Sequence, residues 1–317
     1  MERRAMTVAD PADYLLRLER VTKRYPVRPD RDGSRSGKKE ITVLDDVGLR
    51  VRKGELITLV GPSGCGKSTL LRLVLGAEKP TAGRVLVGGR EVGSPCRDRG
   101  IVFQKYSLFP HLTVLDNIIF GLDLEEFSLL GRPARYFHYR KRKREFAVEA
   151  RRYLERMHLA ESAEQYPHEL SGGMRQRVAI AQAMIMQPQI LLMDEPFGAL
   201  DDAARQEMQT FLLELWEKAQ MTVFFVTHDL EEALFLGTRI LVLSQYFTAD
   251  EAVEGARFVS DKEVPGGHPK PHDFKYSPEF NDLLVQIRRH GLDPTVRQHV
   301  SEFDLSHRDA WRPEARG

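Results

Sequence analysis

The stretch Glu55-Leu-Ile-Thr-Leu-Val-Gly-Pro-Ser-Gly-Cys-Gly-Lys-Ser-Thr-Leu-Leu-Arg-Leu-Val-Leu-Gly76 reads as a strand, a glycine-rich turn and a helix in immediate succession. Glu55–Val60 is apolar on both faces, as in a strand covered on both sides of a parallel sheet. The turn, Gly61-Pro62-Ser63-Gly64-Cys65-Gly66-Lys67-Ser68, satisfies G-x-x-x-x-G-K-[ST] in full, with Thr69 following. Its glycines let successive backbone N–H groups point inward, forming an anion nest at a helix N-terminus. Lys67 then reaches the β- and γ-phosphates of a nucleoside triphosphate, and the Ser68 hydroxyl ligates Mg²⁺. A glycine-rich turn that binds nothing is the bland alternative. The strand before it and the helix after it argue against that.

Further along, Gln189–Asp194 and Met221–Thr227 are two more apolar strands, separated by a helix over about Asp202–Gln220. Alternation of this kind predicts an α/β core with a mainly parallel sheet. The first of these strands ends in Asp194, whose carboxylate can hold Mg²⁺ through water. Glu195 follows at once and is a candidate base for polarising an attacking water. An apolar strand ending in Asp-Glu is common; its value lies in standing downstream of a phosphate loop. Ser171-Gly172-Gly173 opens the helix that begins at Met174. One hydroxyl or glycine suffices for an N-cap, whereas a helix start opened by two glycines is also an anion site.

The flanks are less specific. Tyr14–Tyr25 has strand-like stretches, Pro26–Glu40 reads as a flexible loop or hairpin tip, and Ile41–Val51 as a strand. Arg84–Val92 predicts a hairpin on Gly88-Gly89, and Gly100–Gln104 a short strand. From Leu108 to about Glu169 the pattern is helical. Within it Arg132–Phe146 is dense in basic and aromatic residues, which favours a solvated helix face over a lipid contact. After Ser244 the chain becomes polar up to Asp273, then forms one helix. Ser277-Pro278-Glu279 opens it, Phe280, Leu283, Leu284 and Ile287 line one face, and Gly291 closes it. The last stretch, Ser306–Gly317, reads as disordered.

Composition limits the class. The 317 residues carry Lys+Arg 47 against Asp+Glu 46, a net charge of +1 that gives no sign of a nucleic-acid partner. No apolar run approaches the roughly 18–20 residues a membrane-spanning helix needs, and the basic N-terminus lacks the apolar segment of a secretory signal. Cys65 and Cys96 read as reduced thiols.

Taken together, GPSGCGKST, LSGGMRQR (Leu170–Arg177), LLMDEP (Leu191–Pro196) and the histidine of Thr227-His228-Asp229 resemble the ATP-binding-cassette (ABC) family. The resemblance covers about Tyr14 to Ser244, with the motifs in the family's order. It implies a P-loop cassette with a mainly parallel core sheet, an antiparallel β subdomain and a helical subdomain at about 105–185. Residues 245–317 are left as an extension of unknown role. It also implies ATP and Mg²⁺ as cofactors and a head-to-tail dimer, homodimeric or paired with another such ATPase. Lys67 and Ser68 of one protomer would hold the nucleotide while Ser171, Gly172 and Gly173 of the other cap its γ-phosphate. His228 matches the switch histidine, Asp201 the loop crossing the dimer interface, Gln104 the loop that senses Mg²⁺ and the membrane subunit, and Tyr25 the adenine-stacking aromatic.

Within the family, DRGIVFQ, LFPHLTVLDNI and DEPFGALD resemble importers of the nitrate, taurine and aliphatic-sulfonate branch. Membrane permease subunits and an extracytoplasmic solute-binding protein would then be partners, at the cytoplasmic face of the membrane. The solute would be of that kind or a related nitrogen compound. An exporter or lipid-trafficking ATPase is the competing reading. Cassette ATPases of translation carry two cassettes per chain, and those of DNA maintenance a long heptad coiled coil, neither of which is present in this sequence.

Overall fold

The computed structural model describes residues 13–27, 40–104, 107–126, 136–250, 253–268 and 270–312. Most of the Pro26–Glu40 loop, the first part of the basic segment and the last five residues lie outside them. Contacts divide the chain into two units, Met1–Pro95 with His228–Gly317, and Cys96–Thr227.

In the first unit, β1 (Leu16–Pro26) and β2 (Glu40–Val51) pair antiparallel from Leu16↔Val51 to Pro26↔Glu40. The short strand β3 (Leu56–Val60) is buried at every position and runs into α1 (Lys67–Leu75). β4 (Ala82–Val87) pairs antiparallel with β1, and the turn Gly88-Gly89 returns it to β5 (Arg90–Glu91). The antiparallel subdomain is thus a sheet in the order β2-β1-β4-β5.

The second unit opens with β6 (Arg99–Val102), followed by the helices α2 (Val114–Glu126), α3 (Tyr136–Arg156) and α4 (Gly172–Met184). β7 (Ile190–Asp194), α5 (Asp202–Ala219) and β8 (Thr222–Val226) complete it. Its strands are parallel in the order β6-β7-β8, with Asp194 opposite Val226. The expected helical run is interrupted: the α-helix α3 stops at Arg156, and only short 3₁₀ turns follow before α4. The described part of the basic segment is a solvated face laced by ion pairs. Arg142 forks onto Glu126 of α2 with both contacts at 2.6 Å, Lys143 reaches Asp116 at 2.9 Å, and Arg142 stacks 5.0 Å over Phe146.

Returning to the first unit, α6 (Leu230–Leu236) leads to β9 (Arg239–Ser244), which lies parallel to β3. The polar stretch beyond Ser244 is more ordered than its composition suggests. β10 (Phe247–Thr248) pairs with the later β12 (Gln298–His299). Between them β11 (Arg257–Glu263) adds an antiparallel strand to β9. A buried fork holds it there: Arg239 donates through Nε and Nη2 to the two Asp261 oxygens at 2.7 and 2.6 Å, and through Nη1 to Glu55 at 3.0 Å. The helix α7 (Pro278–Ile287) starts as expected, but Gly291 does not close it: a π-helical turn over Arg288–Leu292 continues the chain past Ile287. Ser277 Oγ accepts from Phe280 N at 3.1 Å, Phe280 and Ile287 are buried, and Leu283 and Leu284 pack beside them. Gly291 follows where backbone and sheet meet, since a Cβ there would lie 2.3 Å from Val242.

The expectation of a disordered end fails for Ser306–Arg312. Tyr14 donates to Asp309 at 3.0 Å, and Arg52 donates to both Asp309 oxygens at 2.8 Å. Trp311 lies over Gly48 so closely that a Cβ at that glycine would enter its ring, with the Arg50 guanidinium 4.8 Å from the ring centre. Polar composition hid a segment that is held by paired charges and one aromatic ring. Burial pushes the Asp309 carboxyl upward, but the hydrogen bonds from Arg52 and Tyr14 and the Arg52 charge outweigh it and hold the group down to about 2. Because the folded value lies below the ordinary 3.8, the pair stabilises the fold fully above that pH and is lost as pH falls toward 2. Asp309→Ala is expected to lower the thermal midpoint at pH 7 and to reduce the difference from wild type as pH falls below 4, a series readable by circular dichroism.

Candidate functional site

The phosphate loop connects the end of β3 to the start of α1. Gly66, the N-cap of α1, has φ 105°, a left-handed conformation that costs glycine nothing, and no side chain caps the helix. The first-turn N–H groups are therefore offered by the backbone alone, as an anion-binding helix start requires. Gly61 is needed for a different reason: a Cβ there would lie 2.1 Å from the carbonyl oxygen of Leu243 on β9. Gly64 faces open space, beside an exposed Ser63 and a half-buried Pro62.

Lys67 is 8% exposed, and its ammonium donates to the carbonyls of Gly61 at 2.8 Å and Pro62 at 3.0 Å. The cation is thereby held back over its own loop. Ser68 is half-buried and Thr69 buried on the first turn of α1. A thiol inside this loop suggests a handle for alkylation, but the Cys65 side chain is 1% exposed and burial pushes its pKa up. The more available thiol is Cys96, which is exposed.

Tyr25 is half-buried. Its hydroxyl donates to Glu78 at 2.5 Å, and Lys23 lies 4.9 Å from its ring centre while also bonding Glu78 at 3.0 Å. Burial and the Glu78 acceptor raise the Tyr25 pKa. This network orients the ring and draws on Glu78, in the turn that follows α1, an arrangement the sequence did not foreshadow.

In the second unit β7 delivers Asp194 at its end, half-buried. The next residue, Glu195, has φ 48° while its N–H donates to Val226 of β8 at 2.9 Å. A non-glycine side chain in the left-handed region costs about 1–2 kcal/mol, and such positions concentrate at functional sites. The strain turns the chain sharply off the sheet at the glutamate. Phe197 anchors the turn with its ring 5.2 Å from that of Phe225. Gln104, at the exit of β6, lies against the same turn: its Nε2 is 3.5 Å from where a Gly198 Cβ would stand. Asp194, Glu195 and Gln104 are thus gathered at one end of β6 and β7.

Ser171 performs the modest role too, its Oγ accepting from Met174 N at 3.3 Å as the N-cap of α4. The capped start is uncovered, since Ser171 is exposed and a Cβ on Gly173 would meet nothing. An anion can reach those N–H groups. Asp201 N-caps α5 through Ala204 N at 2.9 Å and is exposed. In the first unit His228 is exposed, and Asp229 beside it caps α6 by accepting from Glu231 N and Glu232 N at 2.9 and 3.2 Å.

Comparison with known proteins identifies the family. Residues 44–198 match the family model described as ABC transporter. The chain is 41% identical to the nitrate import ATP-binding protein NrtD of Synechocystis over 77% of its length and 88% of the relative's. It is 42% identical to the aliphatic sulfonates import ATP-binding protein SsuB of Bacillus licheniformis over 69% of its length and 79% of the relative's. Among solved structures, the dimeric bacterial ABC transporter cassette MJ0796 superposes with a TM-score of 0.60 at 30% identity, covering 80% of this chain and all of that one. The same cassette is also known as a dimer in a post-hydrolysis state bound to ADP and Pi, with a TM-score of 0.59. With strand, phosphate loop, Asp-Glu turn and uncovered Ser-Gly-Gly helix start all in place, the chain belongs to the ABC transporter family as an ATP-hydrolysing, nucleotide-binding subunit.

Proposed function

We propose that the chain energises import of a small solute by closing as a dimer on ATP beneath separate membrane permease subunits. The observation that carries this reading is the uncovered start of α4, where Ser171, Gly172 and Gly173 present an anion site with no phosphate-binding partner in sequence around it. Such a surface is explained by a nucleotide brought on another subunit, and MJ0796 supports it as a family member that forms dimers. Among the described residues no helix is long and apolar enough to cross a membrane; in this reading separate permease subunits supply the pore. The import direction rests on NrtD and SsuB, whose solutes place nitrate, sulfonates and related nitrogen compounds first among candidates. An extracytoplasmic solute-binding protein belongs to the same reading, and with it a place on the cytoplasmic face of the membrane.

In this reading the cassette spans residues 14–244, with a helical subdomain at about 105–185, and the extension spans 245–317. Lys67 clamps the β- and γ-phosphates, the loop N–H groups cradle them, and Tyr25 stacks on the adenine. The hard oxygen donors Ser68, Asp194 and Gln104 suit Mg²⁺, which when bound neutralises charge on the phosphate oxygens. Glu195 takes a proton from the attacking water, His228 contacts the γ-phosphate, and Asp201 lies in the interface between the two copies.

The test is purification of the complex from native membranes followed by ATPase assays in liposomes with candidate solutes and their binding proteins. Import predicts co-purification of a multispanning permease and at least severalfold stimulation by a solute-loaded binding protein presented outside. Stimulation by a lipid or solute on the ATPase side, with no binding protein needed, would assign the chain to export.

A further inference from the structure

One short helix packs against both the core strands β3 and β9 and the extension after Ser244. At seven residues, α6 is below the length at which a helix holds its own shape in water, so its position is dictated by its neighbours. Its inner face, Leu230, Ala233 and Leu234, packs in one cluster with Val264, Phe274, Phe280 and Ile287 of the extension. Beside its first turn, Arg288 and Leu292 share a half-open cleft of about 330 Å³ with His228, Asp229 and Glu231. At its far end the ammonium of Lys270 donates to the carbonyls of Phe235, at 3.3 Å, and Gly237, and lies 3.0 Å from His268 Nε2. Those carbonyls belong to the last turn of α6 and its cap, which a cation satisfies well.

Lys270 is 5% exposed. Burial alone draws its ammonium down to about 7, the direction set by the cost of taking a cation out of water. A leucine or methionine would fill the space without that cost, so the position is better explained by the bonds it makes than by the volume it occupies. The helix is thus fixed at both ends, by Asp229 at the start and by Lys270 at the finish. His228 stands one residue before the first clamp.

We propose that Lys270 is a positioning residue for ATP hydrolysis, acting through α6 to hold His228 in place, and that the extension is the strap which carries it. The proposal rests on the role given to His228 above. It gives the residues beyond the cassette a task in turnover that packing alone does not.

Lys270→Met, Asp309→Ala and His228→Ala are compared in the full-length protein, each assayed well below its own melting midpoint. Lys270→Met is expected to lower kcat by about tenfold or more with ATP affinity near wild type, since a displacement of about 1 Å far from the chemistry can cost on the order of 10²-fold. Asp309→Ala loosens the same extension far along the chain from Lys270 and is expected to lower the midpoint while keeping wild-type kcat. His228→Ala is expected to be at least as impaired as Lys270→Met. Wild-type kcat in Lys270→Met, or an equal loss in Asp309→Ala, would overturn the strap while leaving His228 in its role. Wild-type kcat in His228→Ala would overturn the role on which the strap depends. Should Lys270→Met not fold, Lys270→Gln, too short to reach both carbonyls, must show the same loss.

Discussion

Glu195→Gln is expected to bind ATP normally and to hydrolyse it about 10²–10⁴-fold more slowly, the span that a positioned general base contributes. The substitution is nearly isosteric and leaves the backbone bond from Glu195 N to Val226 in place, so the strained turn at φ 48° persists. What disappears is a carboxylate able to accept a proton. If the copies part only after hydrolysis and loss of its products, slowing hydrolysis must lengthen the closed state. The variant should therefore elute as a dimer from a sizing column in ATP and Mg²⁺ but as a monomer in ADP. Wild-type turnover would remove Glu195 from its role. Slow turnover with no ATP-dependent dimer would keep the base and discard the paired-subunit site.

The parts of this mechanism differ in how plainly they are written in the sequence. The phosphate loop is legible because its chemistry needs backbone more than side chain. Gly61 is excluded from bearing a Cβ by Leu243, and Gly66 takes a conformation other residues avoid, so few substitutions are open there. The strand ending in Asp194 is legible from its apolar run, but the strain at Glu195 is not, because a left-handed glutamate has no local sequence signal. The extension was least legible. β11 contains Ser260, Asp261 and Lys262 in place of an apolar alternation, and its burial depends on Arg239, more than twenty residues earlier. Likewise the Asp309 carboxylate is buried by Arg52 and Tyr14 at the opposite end of the chain. Where a buried charge is stabilised by a partner distant in sequence, polarity misleads a local reading. The amphipathic α7 shows the converse: its face was readable because spacing alone sets it.

Lys67→Ala is expected to weaken ATP binding by about 10²–10³-fold, from the loss of one or two charge-assisted hydrogen bonds of about 1.5–3 kcal/mol each. The ammonium is buried and bonded to Gly61 and Pro62 carbonyls, so its removal acts on the loop as well as on the ligand. Those carbonyls lose a cationic partner, and the anion nest loses the positive charge that offsets the repulsion between phosphates. Two readouts separate these effects. In the proposed role, where the lysine serves the β- and γ-phosphates, nucleotide affinity by calorimetry should fall for ATP more than for AMP. The melting midpoint without nucleotide reports the loop alone. Lys67→Arg is a useful companion: it retains the charge but carries a broader guanidinium into a site with 8% exposure, and is expected to recover little of the affinity. Equal weakening for ATP and AMP would mean that the loop had collapsed. Unchanged ATP affinity would mean that the phosphates lie elsewhere, and the assignment of Gly61–Thr69 as the nucleotide site would fall with it.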